Sequence, residues 1–234
     1  MIRPPSTDST TFAEALAVLD RRSVIDGVPT SVKERLTAGV RGEVPETPKP
    51  GEELFTTVTH VVIGNNALVV DAATRTAEGL GYRTQIVTRG LQGEARDVGR
   101  DLVVDGRSLS PPACLAAGGE TTVTVRGPGQ GGRCQELTLA AALELRPDED
   151  LVVLAAGTDG TDGPTDAAGA VVDAGTVARG RAAGLDPVRS LAENDAYAFL
   201  RASGDLVVTG PTNTNLLDLY LVLRPAAHPL GEAV

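Results

Sequence analysis

The chain has 234 residues, which is enough for one large domain or two small ones with a sizeable buried core. Aromatic residues make up only 3% and Trp is missing, so the core must consist mainly of Val, Leu and Ala. The formal net charge of −10 leaves no basic face of the kind that nucleic-acid-binding proteins carry, and we expect no nucleic-acid partner.

The first part of the chain predicts short helices and a loop. Thr11 and Glu14 form a capping box ahead of "FAEALAVLDRR", and Ser31 and Glu34 repeat this pattern ahead of "VKERLTAG". The following segment, "GEVPETPKPGEE", contains three prolines and therefore predicts a loop or linker.

An alternation of strands and helices comes next. "HVVIG" predicts a buried strand, "NNALVVDAATRTAEGLG" a helix, "YRTQIVTR" a strand and "GEARDVGRDL" a helix. This order is typical of a parallel, Rossmann-like α/β layer.

The pattern changes after "DGRSLSPP". "ACLAA" predicts a strand, and "ETTVTVRG" alternates Thr and Val, which is typical of a sheet with one wet face, more often antiparallel. We predict a helix at "QELTLAAALEL", a strand at "LVVLAAG", helices near 174–183 and 193–202, and strands at "DLVVTG" and "LYLVL". The fold class is therefore α/β. Residues 1–108 would form a domain with a parallel layer, and residues 109–234 a second domain with a mixed sheet.

The cysteines and the hydropathy pattern indicate where in the cell the protein is found. Cys114 and Cys134 form no disulfide framework and no CxxC motif, so we expect reduced, buried thiols. No apolar run approaches the roughly 18 residues of a membrane span. The N-terminus "MIRPPSTDSTTF" lacks the apolar region of a signal peptide. We expect a cytoplasmic protein with no membrane partner.

The glycine-dense stretch "RGPGQGGRCQE" joins a strand to a helix, so backbone N–H groups and the helix N-terminus can approach an anion. Arg133 lies where this helix should begin. It could clamp a phosphate or carboxylate with two hydrogen bonds, or be a solvated arginine in a turn. Gly127, Gly129 and Gly132 match the dinucleotide pattern G-x-G-x-x-G. We discount that match, because the half-polar "TTVTV" precedes it where a buried parallel strand is needed.

A cluster of acidic residues follows a later strand, in "LVVLAAGTDGTDGPTDAAGAVVD". Asp159 and Asp162 come just past the strand's end, where open α/β sheets bind ligands. The carboxylates could hold Mg²⁺, one could be a base for a substrate hydroxyl, or they could cap turns and the next helix. We favour a functional role for Asp159 and a capping role for Asp166.

Two other polar segments could contact a ligand. "TGPTNTNLLD" follows an apolar strand and offers Thr212, Thr214 and Asn215 as hydrogen-bonding groups, unless it is an ordinary turn. In "GNNA", Asn65 and Asn66 lie at a strand-to-helix junction, where they could cap the helix or contact a ligand.

Four segments, in this order and spacing, resemble the MOFRL region of glycerate 2-kinases: "GGETTVTVRGPGQGGRCQE", "AAGTDGTDGPTDAAGAVVD", "NDAYAFL" and "TGPTNTN". Upstream, "DSTTFAEAL", "GEVPETPKPG" and "VVIGNNALVVDAA" resemble the later part of the α/β domain that precedes MOFRL in that family. The resemblance implies phosphorylation of D-glycerate at its 2-hydroxyl, with ATP as co-substrate and Mg²⁺ as cofactor, in a cleft between two domains.

The resemblance also implies roles for individual residues. Arg133 matches the family's arginine implicated in phosphoryl transfer, and Asp159 and Asp162 match a T-D-G-x-D-G loop. We therefore expect Arg133 and Asp159 to be catalytic, and Asp159 and Asp162 to hold the metal. The residues expected to bind substrate or phosphate are Gly118, Gly119, Glu120, Gly131, Gly132, Asn65, Thr212, Thr214 and Asn215.

The chain also departs from the family pattern. Family members have a further N-terminal half with a second glycine-rich phosphate loop and a catalytic lysine, which neither Lys33 nor Lys49 is placed to replace. Cys134 and Asn213 occupy positions that are more often Asn and Gly. The resemblance therefore implies that the first domain, residues 1–108, is incomplete and that this is a partial chain. A separate N-terminal half is a candidate partner, and a homodimer stays open. The alternative functions are a hydroxypyruvate reductase-type oxidoreductase and a non-catalytic remnant.

Overall fold

The computed structural model describes residues 7–59 and 61–226. The chain divides into two compact units, residues 1–62 and 63–234. The domain boundary predicted at residues 108 and 109 lies inside the second unit and stays a prediction. Within the described ranges, no helix is both long and apolar enough to cross a membrane.

The first unit contains two contacting helices, α1 (Phe12–Arg21) and α2 (Thr30–Val40). The capping box ahead of α1 is confirmed. The Thr11 hydroxyl accepts a hydrogen bond from the Glu14 amide at 3.2 Å, and the Glu14 carboxylate accepts one from the Thr11 amide at 2.8 Å. These bonds satisfy two of the amides that a helix start leaves unpaired.

The second predicted capping box is wrong. Helix α2 begins two residues earlier, after Pro29, so Ser31 lies inside its first turn and no side chain caps the helix. The fixed φ of proline suits the chain entry into a helix, but proline offers no side-chain acceptor for the first amides. The predicted loop at residues 42–53 is confirmed up to a short 3-10 turn that begins at Glu53.

The second unit contains the sheet and most of the helices. Its elements in chain order are α3 (Asn66–Gly79), β1 (Arg83–Leu91), α4 (Ala95–Ser108), β2 (Ala113–Gly119), α5 (Arg133–Glu144), β3 (Val152–Gly157), β4 (Gly169–Val172), α6 (Thr176–Ala182), α7 (Pro187–Ala192), α8 (Ala196–Ser203), β5 (Leu206–Val207) and β6 (Asp218–Arg224).

The six strands form one mixed sheet in the order β1-β2-β6-β3-β4-β5. Strands β1 and β2 are parallel, while β6 runs antiparallel to both β2 and β3. This arrangement confirms the predicted fold class. The core is built mainly from Ala, Leu and Val, with Tyr220 and Phe199 as its largest fully buried side chains. Both cysteines are free and buried, as predicted.

Two predicted strands are wrong. In "HVVIG", His60 lies outside the described residues, and residues 61–64 form no strand. The side chains of Val61, Val62 and Ile63 are 74%, 71% and 92% exposed. A strand needs a neighbour for its backbone N–H and C=O groups, and these residues pair with none in the described part of the chain. This run is called the exposed apolar segment below.

The second wrong strand is "ETTVTVRG", where only Thr122 forms an isolated bridge, with Glu94. Side chains take the place of a partner strand. The Thr124 amide donates to the Glu94 carboxylate at 3.0 Å, and the Gly127 amide donates to the Asn194 side-chain oxygen at 3.0 Å. Alternation of Thr and Val therefore arises here without a sheet.

Sequence analysis also missed β4 and α7, and it overestimated the length of β5. Helix α7 had a recognisable signal. Asp186 precedes Pro187, and its carboxylate accepts a hydrogen bond from the Val188 amide at 2.9 Å. An acidic N-cap followed by proline is a typical helix start.

Candidate active site

The sheet brings the predicted site segments together at one edge. Because β2 and β3 both run antiparallel to β6, their C-terminal residues flank the first residue of β6. Asp218 pairs with Gly119 on one side and with Gly157 on the other. The loops that follow β2 and β3 therefore start beside Asp218.

Arg133, the first residue of α5, points to this carboxylate. Its Nε donates to Asp218 Oδ2 at 2.6 Å and its Nη2 donates to Oδ1 at 2.8 Å, so the pair is bidentate. Asp218 is fully buried, and the hydroxyl of buried Tyr220 donates to its Oδ2 at 3.0 Å. The hydrogen bonds to Asp218 raise the pKa of Arg133 above its ordinary value, which keeps the guanidinium charged.

Asp218 is not among the site residues predicted from the sequence. The available signal was an acidic residue inside the apolar run "LLDLYLVL", where a buried charge requires a partner. Because Nε and Nη2 donate hydrogen bonds to Asp218, the Arg133 side chain is fixed. This excludes the alternative that Arg133 is a mobile, solvated side chain in a turn. The protein holds its guanidinium in a fixed orientation.

The third nitrogen of the same guanidinium, Nη1, lies 3.3 Å from Glu120 Oε1. The Glu120 side chain is 51% exposed, in contrast to buried Asp218. A carboxylate repels phosphate, so this geometry favours a role for Glu120 through Arg133 rather than by direct contact with a phosphate.

Gly118 and Gly119, at the end of β2, are required by close packing. A Cβ on Gly119 would lie 2.2 Å from the Leu91 carbonyl oxygen, and Gly119 has φ of +155°. A Cβ on Gly118 would lie 1.9 Å from the Asn66 side-chain oxygen. Both positions therefore require glycine for packing, independently of any contact with a ligand.

Asp162 is 2% exposed and caps helix α5. Its Oδ1 accepts from the Cys134 amide at 3.1 Å, and its Oδ2 accepts from the Gln135 amide at 2.8 Å and from Gln135 Nε2 at 3.0 Å. A carboxylate at a helix N-terminus is also favoured by the helix dipole. Both oxygens are used, so the geometry favours the capping alternative for Asp162 over metal binding.

Asp159 is partly exposed and connects the loop after β3 with the polar loop before β6. Its Oδ1 accepts from the Thr161 amide at 3.1 Å, and its Oδ2 accepts from Asn215 Nδ2 at 3.1 Å. Its backbone oxygen accepts from the Thr212 amide at 3.0 Å. The Thr212 hydroxyl also donates to the Thr214 carbonyl at 3.0 Å. The predicted residues of both loops are thus brought together.

The glycine-rich loop is fixed by residues 193–195. The Gly129 amide donates to the Glu193 carbonyl at 3.0 Å, and the Gln130 amide donates to the Asp195 carboxylate at 3.0 Å. The Gly127 amide is bonded to Asn194, as described above. Because protein groups hold the amides of Gly127 and Gly129, these amides are not available to a pyrophosphate, which agrees with the rejection of the dinucleotide match.

A cavity of about 550 Å³ lies beside this loop. Residues from the loop after β2, the glycine-rich loop, the start of α5 and the loop after β3 line it, among them Thr121, Val123, Gly131, Gly132, Arg133 and Pro164. Arg133 therefore lies on the wall of a cavity, beside the helix start that Asp162 caps.

Comparison with known proteins adds a second line of evidence. Residues 113–218 match the MOFRL family. A glycerate kinase of Macaca fascicularis is 31% identical over 273 residues, an alignment that covers 95% of this chain and 67% of that protein. The chain belongs to the glycerate kinase family. This membership confirms the resemblance seen in the sequence.

Other members of the glycerate kinase family are more similar. The glycerate 2-kinase of Pyrococcus horikoshii is 40% identical over 228 residues, which cover 94% of this chain and 51% of that protein. The crystal structure of glycerate kinase from Thermotoga maritima matches with a TM-score of 0.77 and 42% identity, covering 93% of this chain and 51% of that one. The chain thus spans about half the length of these two relatives.

The remaining site predictions concern Asn65 and Asp166. The Asn65 side chain caps α3, because its Oδ1 accepts from the Leu68 amide at 3.0 Å. The capping role predicted for Asp166 is wrong, since strand β4 rather than a helix follows it and no backbone amide of the described residues donates to its carboxylate. Its carboxylate accepts instead from the Tyr197 hydroxyl at 2.7 Å.

The described residues, 7–59 and 61–226, contain no group of three or more His, Cys, Asp or Glu side chains that could hold a metal ion. An Mg²⁺ ion needs fewer protein ligands, because it keeps several waters and binds substrate phosphates. Asp159 fits that mode better than Asp162, because its carboxylate is partly exposed, although both of its oxygens already accept hydrogen bonds from Thr161 and Asn215. The metal role predicted for Asp159 and Asp162 stays a prediction.

Proposed function

We propose that this chain is part of a glycerate 2-kinase, which transfers the γ-phosphoryl group of ATP to the 2-hydroxyl of D-glycerate. The observation that carries the proposal is Arg133, held by buried Asp218 on the wall of a cavity at the start of α5. Phosphoryl transfer depends mainly on positioning and on charge stabilisation, and a fixed guanidinium supplies both. Similarity to glycerate kinases supports the choice of substrate. A cytoplasmic location, where ATP is available, belongs to the same proposal.

The residues of the site have different proposed roles. Nη1 of Arg133 exchanges its contact with exposed Glu120 for an oxygen of the transferring group. The amides of Gly131 and Gly132, which line the cavity, contact other substrate oxygens. Thr212, Thr214 and Asn215 would reach the substrate only by giving up hydrogen bonds within their own loop and to Asp159. Gly118, Gly119 and Asn65 shape the site through the packing and capping described above. Asp159 is partly exposed and lies at the C-terminal end of β3, where open α/β sheets bind substrates.

In the reaction, the 2-hydroxyl oxygen forms a bond to the γ-phosphorus, the bond between that phosphorus and the ADP oxygen breaks, and the hydroxyl proton passes to solvent water. Mg²⁺ would neutralise phosphate charge, and Asp159 would hold it through one carboxylate. The alternative role of Asp159 is to accept the hydroxyl proton.

We also propose a partner, a separate N-terminal half of the kinase. The exposed apolar segment (residues 61–63) supports this idea, because three consecutive apolar residues are seldom left to water without a binding role. Within the described residues, β1 is an edge strand of the sheet, so its outer N–H and C=O groups are free to pair.

An assay of ATP-dependent formation of 2-phosphoglycerate tests the proposal. It compares this chain alone with this chain mixed with a separately produced N-terminal half of the Thermotoga maritima glycerate kinase. We expect activity in the mixture. The oxidation of NADH or NADPH by hydroxypyruvate is followed in parallel, and turnover only in that second assay would contradict the kinase.

The role of Asp159 can be tested with the active mixture and the Asp159→Asn variant. If Asp159 organises Mg²⁺, this variant needs a higher Mg²⁺ concentration, and excess metal recovers part of the rate. If Asp159 is the base, kcat falls at every Mg²⁺ concentration. We expect the first result, measured as activity against Mg²⁺. An Mg²⁺ dependence identical to that of the wild type would remove the metal assignment.

A further inference from the structure

The turn before β6 contains a strained residue next to Asp218. Leu217 has φ of +66°, in the left-handed region that is costly for residues other than glycine. Leu217 is 38% exposed, so its side chain is only partly packed. Such strain persists only where neighbouring contacts fix the backbone.

Asn66, the first residue of α3, provides such contacts. It is 7% exposed, and its Nδ2 donates to the carbonyl oxygens of Leu216 at 2.8 Å and Asp218 at 2.9 Å. One amide nitrogen therefore binds the backbone on both sides of Leu217. Its Oδ1 is buried and has no hydrogen-bond partner among the described residues, and it lies against Gly118.

Asn66 therefore stabilises the turn through the two N–H groups of its side-chain amide, while the oxygen of that amide remains buried without a hydrogen bond. An aspartate would place a negative oxygen against two carbonyls, and an alanine would remove the donor that these two carbonyls share. Thr158 fixes the same turn from the other side, where its hydroxyl accepts from the Leu216 amide at 2.7 Å.

We propose that Asn66 is a positioning residue for Arg133. It fixes the strained turn at Leu217, the turn sets the direction of the Asp218 carboxylate, and that carboxylate orients the guanidinium. The catalytic consequence rests on the proposed kinase function, whereas the effect on Arg133 does not.

The first experiment follows hydrogen exchange of the Arg133 Nε–H by NMR on the full chain, with the resonance assigned by its loss in Arg133→Lys. Wild type should exchange slowly, because this proton is donated to a buried carboxylate. Asn66→Ala and Asn66→Asp should exchange about tenfold faster or more, as expected when buried hydrogen bonds are removed. The control is Ala72→Gly, which weakens the same helix at an exposed position without contacting the turn. Equal exchange rates in Asn66→Ala and this control would overturn the proposal.

A second substitution distinguishes a specific effect of Asn66 on the turn at Leu217 from a general loss of structure. Leu217→Gly removes the steric cost of the left-handed turn, so it should slow exchange in Asn66→Ala by about fivefold. A merely structural role of Asn66 predicts no such rescue, and its absence would contradict the mechanism. In the active mixture, Asn66→Ala should lower kcat about tenfold with little change in the KM for D-glycerate. If the wild type has no kinase activity, the proposed function fails while the exchange results still decide the role of Asn66.

Discussion

Arg133→Ala should lower the kcat of the complete kinase by at least about 100-fold, because a charge contact to the transferring group is lost. Arg133→Lys should restore only a minor part. A lysine ammonium is a point charge and cannot bind both oxygens of Asp218 while also facing the substrate. Steady-state kinetics on the mixture of this chain with the N-terminal half would measure both effects. A near-normal kcat in the alanine variant would remove Arg133 from the catalytic residues.

The loss of Arg133 also affects folding, and this must be separated from catalysis. Removing one partner of a buried ion pair costs about 3–5 kcal/mol, since Asp218 would keep a buried, unpaired charge. The matched control adds Asp218→Asn to Arg133→Ala. We expect this double variant to regain much of the free energy of unfolding, measured in urea, and to stay as inactive as the single variant. Recovery of kcat together with stability would show that Arg133 acts only in folding.

Asp162→Ala should lower the free energy of unfolding by about 3 kcal/mol, because two amides in the first turn of α5 would lose a charged acceptor. Urea denaturation would measure the change. Asp166→Ala is a suitable control, since that carboxylate is exposed and accepts only from Tyr197 among the described residues. Its effect should stay within about 0.5 kcal/mol. Equal losses in the two variants would contradict the capping role of Asp162.

The same residue gives a prediction for pH. Burial raises the pKa of Asp162 above its ordinary value of 3.8, with hydrogen bonds from Gln135 and Cys134 opposing and the charge of Asp218 adding to the rise. A carboxyl group whose pKa is raised by folding contributes stability at low pH, and this contribution is lost as the pH rises through the raised value. Wild type should therefore lose stability relative to Asp162→Asn as the pH rises above 3.8. A difference that is flat or changes in the opposite direction would refute the assignment.

Local patterns predicted much of the fold. The capping box at Thr11, the helices α3 to α5 and the strands β1 to β3 depend on short-range periodicity and were predicted correctly. The strand at "HVVIG" was wrong because strand formation depends on a neighbour, which no local pattern reveals. The same reason explains the irregular "ETTVTVRG".

The contacts of the site were harder to predict from the sequence than the fold, because they join residues that are far apart in the chain. Arg133 and Asp159 were proposed from their loops, but the partner Asp218 comes 85 residues after Arg133. Sequence analysis favoured capping for Asp166 and gave Asp162 to the metal, although it is Asp162 that caps a helix. The capped amides lie 27 and 28 residues before it, so spacing along the chain did not indicate the contact.

This long-range cap has a consequence for the order of folding. The first turn of α5 obtains its acceptor only when the loop after β3 is in place, because Asp162 belongs to that loop. Closing such a loop costs chain entropy before the contact forms, so non-local contacts of this kind tend to form late. We infer that the body of α5 can nucleate early through its apolar contacts, while its N-terminal turn, which carries Arg133, becomes ordered among the last parts of the chain.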